Sequence, residues 1–461
     1  MLKKTAKINF TQPQNIYFVG IKGVGMTAIA QILKKFGHHV SGSDTKETFF
    51  TDKVLQKEKI KFFNGFDSKN IPANLDLVIY SSAYNYKNNT ELAEIKKRKI
   101  PAMVQAEALA SIFNRYEKSI AVCGSHGKTT TSAMLGYVLE KSGADPTVEV
   151  GSKVPQFNGN AIVGAGDIMV IEADEYQNKL KYYNPQIVLI NNIDYDHPDY
   201  FKSKKAYRKV FSNFLQRVPP DGFIVANFDD DEIAQAVKGA LAKVIDYGYT
   251  TVNDYRIRDE VIKKDKQYFS LYQNLKLIDE FCLRLIGHHN VMNATAVIAC
   301  CLELKIPVKT IKAALAEFKG TARRMEFLGK DNGARFFDDY AHHPTEIKKT
   351  LQSTKLRYPE KNLVCVFMPH TFTRTKALFA DFTQSFKNAD KLIVLPIYGS
   401  AREQQGGVSS EDLVKKIGKK ASYIPTMEKC ARYLKKNTTK NDVVILMGAG
   451  DTFRVWDELK K

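Results

Sequence analysis

The stretch CGSHGKTTT, residues 123–131, places a lysine and a threonine directly behind a glycine turn. Such a turn lets successive backbone N–H groups converge on an anion, and a neighbouring lysine meets the outer charges. A hydroxyl next in sequence suits a divalent cation. Phosphate loops commonly read G-x-x-x-x-G-K-[ST], but here Val122 stands at the first glycine and Gly124 gives the shorter G-x-x-G-K-T. Gly124, Ser125, His126, Gly127, Lys128, Thr129 and Thr130 are therefore candidate phosphate contacts, with Lys128 on the outer phosphates and Thr129 on Mg²⁺. An ordinary strand–turn–helix carrying a chance lysine is the alternative that the short spacing leaves open.

Two downstream segments carry complementary chemistry. Glu172, Asp174 and Glu175 end one apolar run, and Asp194, Asp196, His197 and Asp199 follow another. In open α/β sheets ligands gather beyond the carboxyl ends of the strands, so all three segments could meet in one crevice. A carboxylate and an imidazole beside a phosphate lysine suit Mg²⁺. Solvated carboxylates in strand-end loops are the plainer reading. A second glycine loop, Gly20, Gly23 and Gly25, precedes Asp44 by nineteen residues from its last glycine. That spacing is a weak NAD fingerprint, with Lys22 in place of its middle glycine. The same helix start could instead hold another diphosphate, with Lys22 adding charge.

These residues need strands and helices to hold them. NIYFVG (15–20), HVSGSD (39–44) and LDLVIYSS (75–82) alternate with helical periodicity, as expected of a parallel Rossmann-like sheet. A second block runs from the strand before the quoted loop through PQIVLINNID (185–194) and GFIVANFD (222–229). It closes with a small antiparallel insert near 251–285 and helices near 289–304 and 308–318. A third block repeats the alternation through NLVCVFMP, KLIVLPIY and DVVILMGAGD. The expected division is 1–116, 117–325 and 326–461, with joints at NRYEK and KGTARRMEF.

Composition agrees with an α/β protein of several domains. At 461 residues the chain exceeds one core, and 44% hydrophobic with 26% charged residues is ordinary for a globular protein. No run of eighteen apolar residues and no signal-peptide core occur, which argues against a membrane span or export. Six cysteines without C-x-x-C spacing fit a reduced cytoplasm better than a disulfide framework or a zinc site. The net charge of +19 is spread along the chain in short lysine groups, without a basic arm or an aromatic-interleaved patch. It reads as a solvated surface that attracts polyanionic small substrates rather than nucleic acid.

Taken together, the motifs resemble the Mur ligase family, the ATP-dependent amide-forming enzymes of peptidoglycan precursor synthesis. CGSHGKTTT is similar to the family's G-T-H-G-K-T-[ST] loop, EADE and NNIDYDHPD to its Mg²⁺ segments, and GIKGVGMTAIA to the loop receiving the UDP-sugar. GHHNVMNATAV (287–297) resembles the adenine-contacting helix start, and TARRMEF the joint before the last domain. FFDDYAHHPTEI (336–347) and FMPHTFTRT (367–375) look like the third domain of the alanine-adding branch.

The resemblance implies three domains: Rossmann-like, central P-loop ATPase-type with parallel sheet and small antiparallel insert, and Rossmann-like again. It implies Thr129 and Glu172 on Mg²⁺ and His197 on a second metal, Lys128 and Arg324 on phosphates, Asn293 on adenine and Asp339 on ribose. Gly23, Val24, Gly25, Met26, Asp44, Ser81 and Ser82 would hold the UDP-sugar. His342, His343, His370 and Arg374 would face the incoming amino acid and the acyl group, although His342–His343 could simply cap the following helix. Implied substrates are ATP, UDP-N-acetylmuramate and L-alanine, in a cytoplasmic monomer or dimer. Phe211 stands where other branches carry a carbamylated lysine, which fits the alanine-adding branch. Tyr176 is instead similar to a tripeptide-recycling relative and leaves the amino acid open.

Overall fold

A computed structural model describes residues 6–250, 252–399, 403 and 406–461. Three sheets form the framework. The first has five strands in the order Lys61–Asn64, His39–Asp44, Asn15–Val19, Leu77–Tyr80, Ala102–Val104, all parallel. This order reverses direction at the first strand, the switch point where ligands enter doubly wound sheets. Gly20 and Ser81 leave the sheet there side by side, Ser81 N donating to Val19 O at 3.0 Å. Helix Val24–Lys35 follows because Met26, Ile29, Ile32 and Leu33 form one buried face. It stops at Gly37, whose φ of +89° most side chains would resist.

The central sheet has ten strands. Its parallel body runs Lys243–Gly248, Phe223–Asn227, Ile187–Ile190, Lys118–Cys123, Ile168–Glu172, Thr147–Val154. Strand Gly159–Ile162 pairs antiparallel at one end. The expected antiparallel insert is present as Tyr255–Lys263, Lys266–Gln273 and Lys276–Leu283, but it is not a separate unit. Tyr255 pairs in parallel with Tyr247, so the three strands extend the main sheet. Pairing there satisfies backbone groups that a bare edge would expose.

Helix Lys128–Lys141 lies against helices His288–Glu303 and Val308–Glu317 and the strand Thr147–Val154. Enclosed on all sides, it has no polar face, and Thr129 through Leu139 are buried. The third sheet runs Glu326–Asp331, Ala334–Asp339, Asp442–Met447, Asn362–Phe367, Lys391–Val394, Ala421–Tyr423, with only the first pair antiparallel. One apolar core joins Ile16 and Phe18 of the first sheet to Phe211 and Phe214 of the middle block, while the third sheet has cores of its own. Among the described residues no helix is long and apolar enough to cross a membrane.

Candidate active site

The short glycine loop depends on two positions. Gly124 has φ +127°, and a Cβ on it would lie 2.9 Å from Asn192 O. Gly127 has φ +81°, and a Cβ there would lie 2.7 Å from Asn293 Oδ1. Both sites therefore require glycine, for conformation and for space. Asn192 fastens the turn: its carbonyl accepts from Ser125 N at 3.0 Å and its Oδ1 from His126 N at 2.8 Å. The loop opens the helix Lys128–Lys141, so its N–H groups and helix dipole favour an anion.

Sheet order brings the metal chemistry to that loop. Lys118–Cys123 lies between Ile168–Glu172 and Ile187–Ile190, so all three strand ends open on one crevice. Thr129 Oγ1 donates to Glu172 Oε1 at 2.8 Å, and Gly151 N donates to Glu172 Oε2 at 2.9 Å. These two oxygens fit a hard divalent cation. His197 is not beside them. Its Nε2 stands 3.7 Å from Glu175 Oε1, and ligand atoms of Asp174, Glu175 and His197 lie within 4.8 Å of one another. Thr129 with Glu172, and His197 with Glu175, thus form two neighbouring groups, as two separate metal positions would require. Tyr176 packs its ring 4.5 Å from the His197 ring and donates its hydroxyl to Asp199 Oδ2 at 2.7 Å.

A cleft between the middle and third domains is lined by His126, Gly127, Asn293, Arg324, Asp339 and Glu346, among others. Thr130 also lines it. Arg324 Nη1 lies 3.6 Å from Glu346 Oε1, over the Tyr340 ring. Asp339 is buried and accepts from Met325 N and Ala341 N, each at 2.9 Å, fixing the joint. Glu346 is hidden in the sequence inside an ordinary helical pattern, yet it contacts two cations, Arg324 and His126. His126 Nδ1 lies 3.2 Å from Glu346 Oε1, and His126 Nε2 2.9 Å from Asp194 Oδ2. Burial disfavours the imidazolium, but Glu346 and Asp194 outweigh it and lift His126 to about 9.

The third-domain histidines take different roles. His342 Nδ1 donates to Tyr340 O at 3.1 Å, which leaves Nε2 as an acceptor. Burial and the nearby Arg374 push His342 down to about 3 and His370 to about 4, so both are neutral at physiological pH. The His370 ring stacks on Tyr398 at 5.5 Å and lies 6.2 Å from the His342 ring. His343 takes the helix-capping alternative that the sequence left open. It caps helix Pro344–Arg357, accepting from Thr345 N at 3.3 Å, and is 4% exposed. Pro344 with Glu346 behind it is the sequence signal for that cap.

Arg374 already has a partner. Its guanidinium is buried and grips Asp196, Nε to Oδ1 at 2.9 Å and Nη2 to Oδ2 at 3.3 Å. It is therefore already paired within the protein. Lys22 is a correction. Its ammonium faces away from the helix start, donating to Glu47 O at 2.8 Å and Asn64 Oδ1 at 2.6 Å and pairing with Asp52 at 3.3 Å. The charge it was expected to add is spent inside the first domain.

The remaining substrate candidates cluster at the first glycine loop. Asp44 is buried and accepts from Lys22 N at 2.7 Å, holding the loop. Gly23 caps helix Val24–Lys35, and Val24 O accepts from Asn160 Nδ2 at 2.8 Å across to the middle domain. Met26 turns into the core. A Cβ on Gly25 would lie 3.5 Å from Glu149 Oε1, a buried acid lifted to about 8 by burial and by Glu172. The first helix start thus borders the same crevice as Glu172. Ser81 and Ser82 lie at the sheet's switch point, Ser82 exposed.

Residues 15–117 match the Mur ligase family, catalytic domain; 122–301 the Mur ligase middle domain; and 323–450 the Mur ligase, glutamate ligase domain. A UDP-N-acetylmuramate–L-alanine ligase of Desulfitobacterium hafniense (strain Y51) is 39% identical, covering 97% of this chain and 99% of that protein. The chain belongs to the Mur ligase family. A ligase of the same name from Alkaliphilus metalliredigens (strain QYMF) is 40% identical, covering 96% of both chains. Among solved structures, a UDP-N-acetylmuramate-alanine ligase of Thermotoga maritima matches with TM-score 0.81 at 27% identity, covering 97% of this Mur ligase and 99% of that chain. A murein peptide ligase of Psychrobacter arcticus shares the fold, with TM-score 0.74 at 23% identity.

Proposed function

We propose that this Mur ligase joins L-alanine to the lactyl carboxylate of UDP-N-acetylmuramate, cleaving ATP to ADP, in peptidoglycan precursor synthesis. The observation that carries the chemistry is that the phosphate loop both lines the third-domain cleft, through His126, Gly127 and Thr130, and leads into Thr129, which is bonded to Glu172. The full-length likeness to alanine ligases supports the substrates. The boundaries 1–116, 117–325 and 326–461 fit the three sheets, and free cysteines fit a cytoplasmic enzyme.

The triphosphate enters over Gly124–Thr130, its charge met by Lys128 and Arg324, with Asn293 beside the base and Asp339 near the ribose. Thr129 and Glu172 would hold one Mg²⁺, and His197 with Glu175 a second. Such cations supply charge neutralisation, without which a carboxylate and a phosphate repel each other. The lactyl carboxylate attacks the γ-phosphorus and ADP leaves, giving an acyl phosphate. The alanine amine then attacks the acyl carbon, and inorganic phosphate departs as the amide forms. The neutral His342 accepts a hydrogen bond from the amine through Nε2, whereas His370 Nδ1 is taken by Arg374 Nη1 at 3.3 Å and its Nε2 is left as a donor. Gly23–Met26, Asp44, Ser81 and Ser82 position the UDP-sugar.

A matrix of amino acids against UDP-muramyl acceptors, scored by ADP release, tests the substrate assignment. L-alanine with UDP-N-acetylmuramate should give the highest kcat/KM. A preference for a preformed tripeptide would move the enzyme to a recycling reaction.

A further inference from the structure

Lys128 does not point out of its loop. Its ammonium donates to Ser125 O at 3.1 Å and to the Gly124 carbonyl, and it pairs with Glu175 Oε2 at 2.9 Å. The Glu175 side chain is 1% exposed. Its other oxygen accepts from Tyr207 Oη at 2.9 Å and stands 3.7 Å from His197 Nε2. Tyr207 in turn contacts Ser125 Oγ at 2.8 Å, so the network begins and ends on the phosphate loop.

A buried carboxylate stripped of its counter-ion is strongly unfavourable. If nucleotide phosphates draw Lys128 away, Glu175 is left with one phenol donor and a nearby imidazole. The neighbouring lysine offers no compensation, because Lys179 is already paired with Asp174. A cation must replace Lys128, and Asp174, Glu175 and His197 present ligand atoms within 4.8 Å of one another.

We propose that Glu175 exchanges partners. It holds Lys128 in the nucleotide-free protein and turns with His197 to a divalent cation once phosphates take the lysine. Nucleotide and that cation therefore bind cooperatively, each strengthening the other to the same degree. This rests on the nucleotide reading proposed above, and it makes Glu175 a positioning residue for Lys128.

Calorimetry of the full chain with AMPPNP, first in EDTA and then in Mg²⁺, tests the exchange. Without metal, the Lys128–Glu175 pair holds down the fraction of binding-competent protein. Removing the pair should tighten metal-free AMPPNP binding by about tenfold. Both Glu175→Gln and Glu175→Asp should show this, and the affinity gained on adding Mg²⁺ should shrink in both. Glu175→Asp decides the matter, because it keeps the negative charge but withdraws it by one methylene. Metal-free affinity equal to or weaker than wild type in Glu175→Asp overturns the exchange, including when Glu175→Gln alone binds tighter or fails to fold. Wild-type protein that binds no AMPPNP in either condition would overturn the nucleotide reading itself.

Discussion

Lys128 is legible from sequence because its neighbours on both sides are constrained: Gly127 must turn and Thr129 must offer a hydroxyl. Replacing Lys128 by Ala should lower turnover by about 10²–10³, the range for losing one stabiliser of developing charge. UDP-sugar affinity should stay unchanged by calorimetry, since the first glycine loop lies on another domain. Loss of both would show the two sites to be one. His126 carries a pH signature that sequence could not give, because Glu346 lies far along the chain. Its value rises from the ordinary 6.5 to about 9, so its contribution to stability is complete below 6.5 and is lost as pH rises through 9. Melting temperature should fall across that window in wild type, with a shallower slope in His126→Gln. Equal slopes would remove His126 from the contact. A charged residue near a motif gives no direction in the sequence, and Arg374 and Lys22 both turn toward internal partners, Asp196 and Asp52.

At the scale of elements, strand and helix order is readable from apolar periodicity, and most of the regular strands end two to four residues short where they pass into loops. The strand expected at 185–194 is regular only over Ile187–Ile190, since Asn191 and Asn192 leave the ladder to bind the phosphate loop. Fusion of the antiparallel strands to the main sheet depends on Tyr247 meeting Tyr255, a contact that periodicity does not encode. Two outcomes belong here. Gly127→Ala must place a methyl 2.7 Å from Asn293 Oδ1 at a φ of +81°, so nucleotide binding should be lost while the UDP-sugar still binds. Retained AMPPNP affinity would show that the loop tolerates the change. His343→Ala removes a helix cap and should cost about 1 kcal/mol, read as a lower melting temperature. A fall in kcat without a change in stability would return His343 to the reacting groups.

Across the whole molecule, the three-block organisation was visible in the alternating pattern, but the contacts that hold the third domain against the middle one were not. Those contacts are Arg374–Asp196, His126–Glu346 and His343 Nε2 with Tyr195 O at 3.3 Å, joining segments far apart in sequence. Because Arg374 and Asp196 act as a pair, Arg374→Lys and Asp196→Asn should be strongly non-additive, with a coupling of about 1–3 kcal/mol in a double-mutant cycle on kcat/KM. Additive effects would mean that Arg374 serves a substrate carboxylate instead. The amide-forming claim is tested most directly by mass spectrometry of the nucleotide-sugar product, counted against ADP. With ATP, Mg²⁺, UDP-N-acetylmuramate and L-alanine together, each ADP should accompany one alanylated UDP-sugar, and omission of any component should abolish both. ADP formed at the same rate without L-alanine, or without an alanylated product, would contradict an amide ligase.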